Sequence, residues 1–145
     1  MTGNGPQPPV ASGGDVVELS IPVRADLVVL ARLTAATVAS RAGFGVEEIE
    51  DLRLAVEELC LSLVGPDDNG RLRFAYQRAD DAVTITCTFE PDGTGAATAR
   101  TGDELSLRIL DALVDEHGRH GTGGSGANGG GSKAWLRKRR ARSPL

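Results

Sequence analysis

The segment spanning residues 46–64 constrains the fold most, because it carries the strongest helical pattern in the chain. Acidic side chains at 47, 48 and 50 stand near its beginning, where the helix macrodipole favours negative charge. A Gly-Pro pair at 65–66 ends it. The apolar positions, spaced three and four apart, form one stripe: Ile49, Leu52, Val56, Leu59 and Leu63. This pattern predicts an amphipathic helix over 46–64.

Two further helices are predicted on either side of this segment. Residues 25–41 are dense in Ala, Leu and Val at helical spacing, and Gly43 stands just beyond them as a stop signal. Residues 103–116 begin with Asp103, a suitable N-cap. Their inward positions are Leu105, Ile109, Leu110 and Leu113.

Four strands are predicted, at 16–21, 71–78, 82–89 and 133–139; in the first three, apolar and polar residues alternate. The segments 90–102 and 118–132 are predicted to be loops, the second flexible because eight of its fifteen residues are glycine. The order strand, helix, helix, strand, strand, helix, strand predicts an α+β two-layer sandwich. In it, three helices lie on one face of a mixed, mostly antiparallel sheet.

The length of 145 residues suits one domain, over residues 15–139. Residues 1–14 are predicted to be a disordered tail rich in Gly and Pro, and residues 140–145 a basic tail. Neither a membrane-spanning stretch nor an apolar signal core is seen, so we expect a cytoplasmic protein without a membrane partner.

Charge is distributed unevenly along the chain. Residues 133–142 hold six of the sixteen basic side chains, which leaves ten against all twenty acidic ones in residues 1–132. An acidic body repels nucleic acid and suits a basic protein partner. Direct DNA binding is therefore not expected, although the basic end alone would allow weak, salt-sensitive phosphate binding.

Several familiar chemistries are disfavoured by the motifs. Cys60 and Cys87 form neither a CxxC pair nor a metal spacing, and we interpret both as buried small hydrophobes. His117 and His120 have no nearby ligand cluster in the sequence, so a metal site is not expected. The glycines of 126–131 are followed by Ser and then Lys, the reverse of the order in a phosphate-binding P-loop.

Glu58 is the residue on the strongest helix that best suits catalysis, with Ser62 one turn later on the same face. A carboxylate facing a cleft can act as a general base or bind the water shell of a metal ion. From composition alone, a solvated glutamate on the polar edge of the helix is the simpler interpretation.

A family resemblance rests on three segments in order: 30–34 (LARLT), 51–60 (DLRLAVEELC) and 113–116 (LVDE). Over roughly residues 15–139 the chain resembles the RsbW-type anti-sigma factors, which are small serine kinases of the GHKL ATPase superfamily. The resemblance implies a Bergerat-type fold, sequestration of a stress or sporulation sigma factor, and a STAS-domain anti-anti-sigma protein as the serine-phosphorylated antagonist. It also allows a homodimer.

The resemblance assigns roles to particular residues. Arg32 corresponds to the partner-facing arginine of the first helix, and Glu58 to the catalytic glutamate. Ser62 stands where the family has its Mg²⁺-binding asparagine. Asp92, with glycines at 93 and 95, stands near the adenine-binding box, but with altered spacing.

The departures bear on ATP and Mg²⁺, the cofactors that the family uses. Besides Ser62 and the box of Asp92, Gly93 and Gly95, the lid segment carries two acids at 103–104 that would repel a triphosphate. Losing several charge-assisted contacts would weaken micromolar ATP binding to about millimolar or worse. We therefore expect sequestration of a sigma factor without kinase activity.

Two alternatives stay open. In the first, Glu58, Ser62 and Asp92 assemble a working ATP site and the protein is an active serine kinase of its antagonist. In the second, the basic C-terminus serves a nucleic-acid-binding module. The chain has one Trp, one Tyr and three Phe, so a platform for stacking bases is poorly supplied.

Overall fold

The structure is a computed structural model that describes residues 15–92, 104–120 and 132–141. A single turn of 3-10 helix, Ala25–Leu27, precedes the first α-helix. The α-helices are α1 (Val28–Arg41), α2 (Val46–Leu63) and α3 (Glu104–Leu113). The strands are β1 (Val16–Pro22), β2 (Gly70–Ala79), β3 (Ala82–Pro91), β4 (Glu116–His120) and β5 (Ser132–Arg139).

The described strands form a five-stranded sheet in the order β1-β2-β3-β5-β4, and every pairing is antiparallel. With the three helices on one side, this confirms the predicted α+β two-layer sandwich. The sheet is antiparallel rather than mixed, because each strand runs opposite to the neighbour to which it is hydrogen-bonded. Among the described residues, no helix has the length and apolar character needed to cross a bilayer.

The core lies between the helices and the inward faces of the three central strands. Alternate residues of these strands are fully buried, as the period of two requires. They are Leu72, Phe74 and Tyr76 of β2, Val83, Ile85, Cys87 and Phe89 of β3, and Ala134 and Leu136 of β5. The Tyr76 hydroxyl donates to the Ala31 carbonyl at 3.0 Å, which ties α1 to the sheet.

Both cysteines are buried, Cys60 on α2 and Cys87 on β3, which confirms the prediction that they act as small hydrophobes. Burial among apolar side chains raises the pKa of the Cys87 thiol well above its ordinary value, and the neighbouring Cys60 thiol raises that pKa further. The Cys87 thiol therefore stays protonated at neutral pH and is a poor nucleophile.

The connection between α1 and α2 confirms Gly43 as the stop signal. Gly43 has a φ of +86°, and the amide of Phe44 donates to the Ala39 carbonyl at 3.0 Å, closing the end of the helix. The chain after β5 returns to this connection. Arg140 donates to the Ala42 carbonyl at 3.2 Å, so the start of the basic tail is held against the domain.

Strand β4 corrects the sequence prediction. The third helix ends at Leu113 rather than at 116, and the start of the predicted loop, 118–120, is part of β4. No apolar alternation marks this strand, because its pairing depends on β5 rather than on a buried face of its own. At the pair Gly118 and Trp135, the buried indole lies directly over the glycine.

Replacing Gly118 with Ala is predicted to destabilise the domain. The new Cβ would stand 2.7 Å from Nε1 of the rigid, buried Trp135 indole, so the indole or the strand has to move. We expect the free energy of unfolding to fall by about 1 to 3 kcal/mol, the usual cost of overpacking. Chemical denaturation measures it.

Gly45→Ala is the control for this change. Its added Cβ would meet nothing closer than Glu48 Oε1 at 3.6 Å, an ordinary contact. Gly45 is the N-cap of α2, where Ala is less favourable than Gly, so its stability should fall by no more than about 1 kcal/mol. Equal stability of the Gly118→Ala variant and the wild type would contradict the tight contact between the indole and β4.

Candidate functional site

Helix α2 presents two different flanks because its apolar stripe is buried between them. Leu52, Val56 and Leu59 are fully buried against the sheet and the other helices. Glu57 and Glu58 are consecutive, so they leave the helix about 100° apart. Glu57 faces α1, where it contacts Arg32, and Glu58 lies on the flank near α3 and β5.

On the Glu58 flank of α2, Lys138 of β5 contacts both α2 and α3. Its Nζ donates to the Leu113 carbonyl at the end of α3 at 2.7 Å and lies 3.7 Å from Asp51 Oδ2 on α2. Asp51 precedes Glu58 by seven residues, two helical turns, and so shares its side of α2. Glu58 is partly exposed on this flank, where α2, α3 and β5 meet.

Ser62 lies one turn beyond Glu58 but is turned inward. It is 4% exposed, and its hydroxyl donates to the Leu59 carbonyl of the same helix at 2.7 Å. A serine that bonds back to its own helix does not present its oxygen to solvent. The buried Ser62 hydroxyl therefore does not fit the Mg²⁺ role predicted for this residue.

Asp92 lies at the end of β3, where the chain from α2 enters the sheet. Its side chain is exposed, and its amide donates to the Asn69 carbonyl at 2.9 Å. The predicted candidates Gly93 and Gly95 lie outside the described residues. In the lid segment, Glu104 begins α3 and its carboxylate pairs with Arg108 at 3.2 Å, while the residue before it is not described.

Arg32 lies on the opposite flank, between α1 and α2. Its Nη1 is 3.3 Å from Glu57 Oε1, with both side chains partly exposed. Its Nε is buried and has no hydrogen-bond partner within the described ranges. The arginine predicted to bind the partner is thus at the surface, but it is paired inside its own chain.

A cleft of about 330 Å³ opens beside this ion pair. It lies between the start of α1, the last turns of α2 and the start of β2. Its walls are mainly apolar, from Val23, Val28, Leu61, Val64 and Leu72, with Glu57 on the wall nearest Arg32. The cleft does not include Glu58, Ser62 or Asp92, so it is separate from the predicted nucleotide residues.

The cleft and the role of Glu57 were missed by sequence reasoning. Glu57 stands next to the candidate catalytic glutamate, and nothing in the motif distinguishes its direction. The signal that would have found it is helical geometry, since Glu57 lies one turn before Leu61 on the side of α2 away from Asp51.

Three proteins named serine-protein kinase RsbW are similar to this chain. That of Bacillus subtilis (strain 168) is 31% identical, covering 72% of this chain and 78% of the relative. That of Bacillus pumilus (strain SAFR-032) is 32% identical, covering 70% and 76%. That of Bacillus cereus (strain B4264) is 35% identical, covering 68% and 56%.

No family model matches the chain. At these identities and this coverage, however, the similarity is sufficient to define the family, and the chain belongs to the RsbW family of serine-protein kinases. The family resemblance drawn from the sequence motifs is thereby confirmed, and the antiparallel sheet under three helices agrees with the GHKL-type fold.

Replacing Lys138 with Met is predicted to loosen α3. The change keeps the length of the side chain but leaves the Leu113 carbonyl without its donor and Asp51 without its cation. We expect a loss of about 1 to 3 kcal/mol in the free energy of unfolding and faster amide exchange in α3. Hydrogen exchange followed by mass spectrometry resolves the two effects.

Lys133→Met is the matched control, since Lys133 is on the same strand but five residues away, on the opposite face of the sheet. Its α3 amides should exchange as in the wild type. Equal protection of α3 in both variants would show that Lys138 does not hold the helix.

Proposed function

We propose that this protein is a cytoplasmic anti-sigma factor that sequesters an alternative sigma factor of the stress or sporulation type. The observation that carries the proposal is the position of Arg32, at the surface between α1 and α2, where one guanidinium nitrogen contacts Glu57 and the buried Nε has no acceptor among the described residues. A guanidinium there can bind a carboxylate of a protein partner through two parallel hydrogen bonds. Family membership supports the same role.

The charge of the chain supports a basic partner. Residues 1–132 carry ten basic and twenty acidic side chains, which favours association with a positively charged DNA-binding protein and disfavours DNA itself. Release of the sigma factor is assigned to a STAS-domain anti-anti-sigma protein that competes for the protein. The proposal includes a homodimer as the working unit.

Substitution of Arg32 by Glu is predicted to abolish capture of the sigma factor. The wild-type chain should retain at least one of the purified alternative sigma factors of the same genome in a pull-down at moderate salt. The variant places a negative charge where a carboxylate would bind, so we expect at least about a hundredfold weaker binding, as for a truncated buried charge pair.

Arg41→Glu is the matched control. It makes the same charge change on the same helix, at an exposed residue whose acidic neighbour, Asp15, is 3.9 Å away. It should reduce binding only slightly. Failure of the wild type to bind any sigma factor of the panel would remove the proposed function.

An active serine kinase is the second proposal, because the relatives are named as kinases and Glu58 is partly exposed on its flank of α2. Under this hypothesis Glu58 would orient the serine hydroxyl of the antagonist for attack on the γ-phosphate of ATP. The buried, internally bonded Ser62 hydroxyl weighs against it.

Calorimetry with ATP and Mg²⁺ tests the kinase hypothesis by measuring nucleotide binding. We expect a dissociation constant of about a millimolar or weaker, because the altered boxes lack several charge-assisted contacts. Micromolar binding, together with phosphate transfer that Glu58→Gln abolishes, would establish the kinase instead. That result would leave the sigma-binding proposal intact, since Arg32 lies on the other flank of α2.

A further inference from the structure

Arg32 makes fewer contacts than its chemistry allows. A guanidinium has five N–H donors in a planar fork that matches a carboxylate through two bonds. Here a single nitrogen reaches Glu57, at 3.3 Å, which is longer than the 2.7 to 2.9 Å typical of a charge-assisted bond. The Nε donor is buried and finds no acceptor in the described part of the chain. The site therefore satisfies Arg32 only in part.

An apolar cleft lies next to Glu57, so a partner that reaches Arg32 also meets an apolar surface. Val28 lines it and lies one turn before Arg32 on α1, while Leu61 lines it one turn after Glu57 on α2. The other charged groups of the cleft are already occupied. Arg24 pairs with Asp26 at 3.3 Å, and Asp68 accepts from the Gly65 amide at 2.6 Å.

We propose that Glu57 holds the place of a carboxylate from the partner protein. The partner segment carries an acidic side chain beside a large aliphatic one: its carboxylate displaces Glu57 from Arg32, and its aliphatic side chain enters the cleft. This inference rests on the proposed function and specifies the chemistry that the sigma factor presents. Displaced Glu57 has open solvent to enter, since 43% of its side chain is already exposed.

The strength of the ion pair between Arg32 and Glu57 determines how far the affinity for the partner protein is lowered. A partly exposed ion pair contributes little free energy. A partner that must break the pair binds only those molecules in which it is already broken, so its apparent affinity is reduced by that fraction. For pairs of this kind the apparent affinity falls by about two- to sixfold. Glu57 therefore tunes the interaction rather than blocking it.

Glu57→Gln tests the displacement. It removes the charge while keeping the shape, so the full-length chain should bind the captured sigma factor about two- to sixfold more tightly at low salt. The gain should shrink as salt screens the pair. Glu47→Gln is the matched control, with the same charge change in the exposed first turn of α2, and should show no gain.

Leu61→Ser tests the cleft, and Leu54→Ser is its control. Both leucines lie on α2 with 51% of the residue exposed, but Leu61 lines the cleft and Leu54 does not. Burial of an aliphatic side chain against Leu61 predicts about tenfold weaker binding for Leu61→Ser. Leu54→Ser should change the affinity by less than about twofold.

The outcomes separate this inference from the proposed function. If the wild type binds a sigma factor but Glu57→Gln binds no more tightly than Glu47→Gln, or both leucine variants behave alike, the inference is overturned and the proposed function stands. If neither chain binds any sigma factor of the panel, both fail.

Discussion

Burial of the apolar stripe of α2 is the interaction on which the rest of the structure depends. Leu52, Val56 and Leu59 are fully enclosed, and burying side chains of this size contributes about 1.5 to 3 kcal/mol each. Because this stripe can face the sheet in only one way, it also fixes the rotation of the helix about its axis. The directions of Glu57 and Glu58 follow from that rotation and not from contacts of their own.

Because the rotation of α2 is fixed, its two flanks make different contacts. The Glu58 flank meets α3 and β5, where Lys138 holds the elements together, and the Glu57 flank meets α1 and Arg32. A change of side chain on the Glu58 flank, such as the Ser62 hydroxyl that bonds to its own helix, therefore need not alter the contact between Arg32 and Glu57.

The sequence predicted those parts of the fold whose pattern reflects their own burial. The helix predicted over 46–64 is found at Val46–Leu63, and the alternation in β2 and β3 matches their buried faces. Strand β4 was missed because its residues, EHGRH, carry no apolar period and its pairing depends on β5. In the candidate site, spacing placed Glu58 and Ser62 on one side of α2, but it does not determine that Ser62 is buried and bonds to the Leu59 carbonyl.

The pairing of Arg32 with Glu57 shows what sequence patterns leave out. The two residues are 25 positions apart, and they meet only because α1 crosses α2 at that height. A contact that is long, partly exposed and leaves Nε without an acceptor is weak, so a partner with better geometry can replace it. By linkage, any antagonist that engages the same guanidinium must also compete with Glu57. In the proposed complexes the same carboxylate would weaken both, and the ratio of the two affinities would depend on the remaining contacts, with the neighbouring apolar cleft among them.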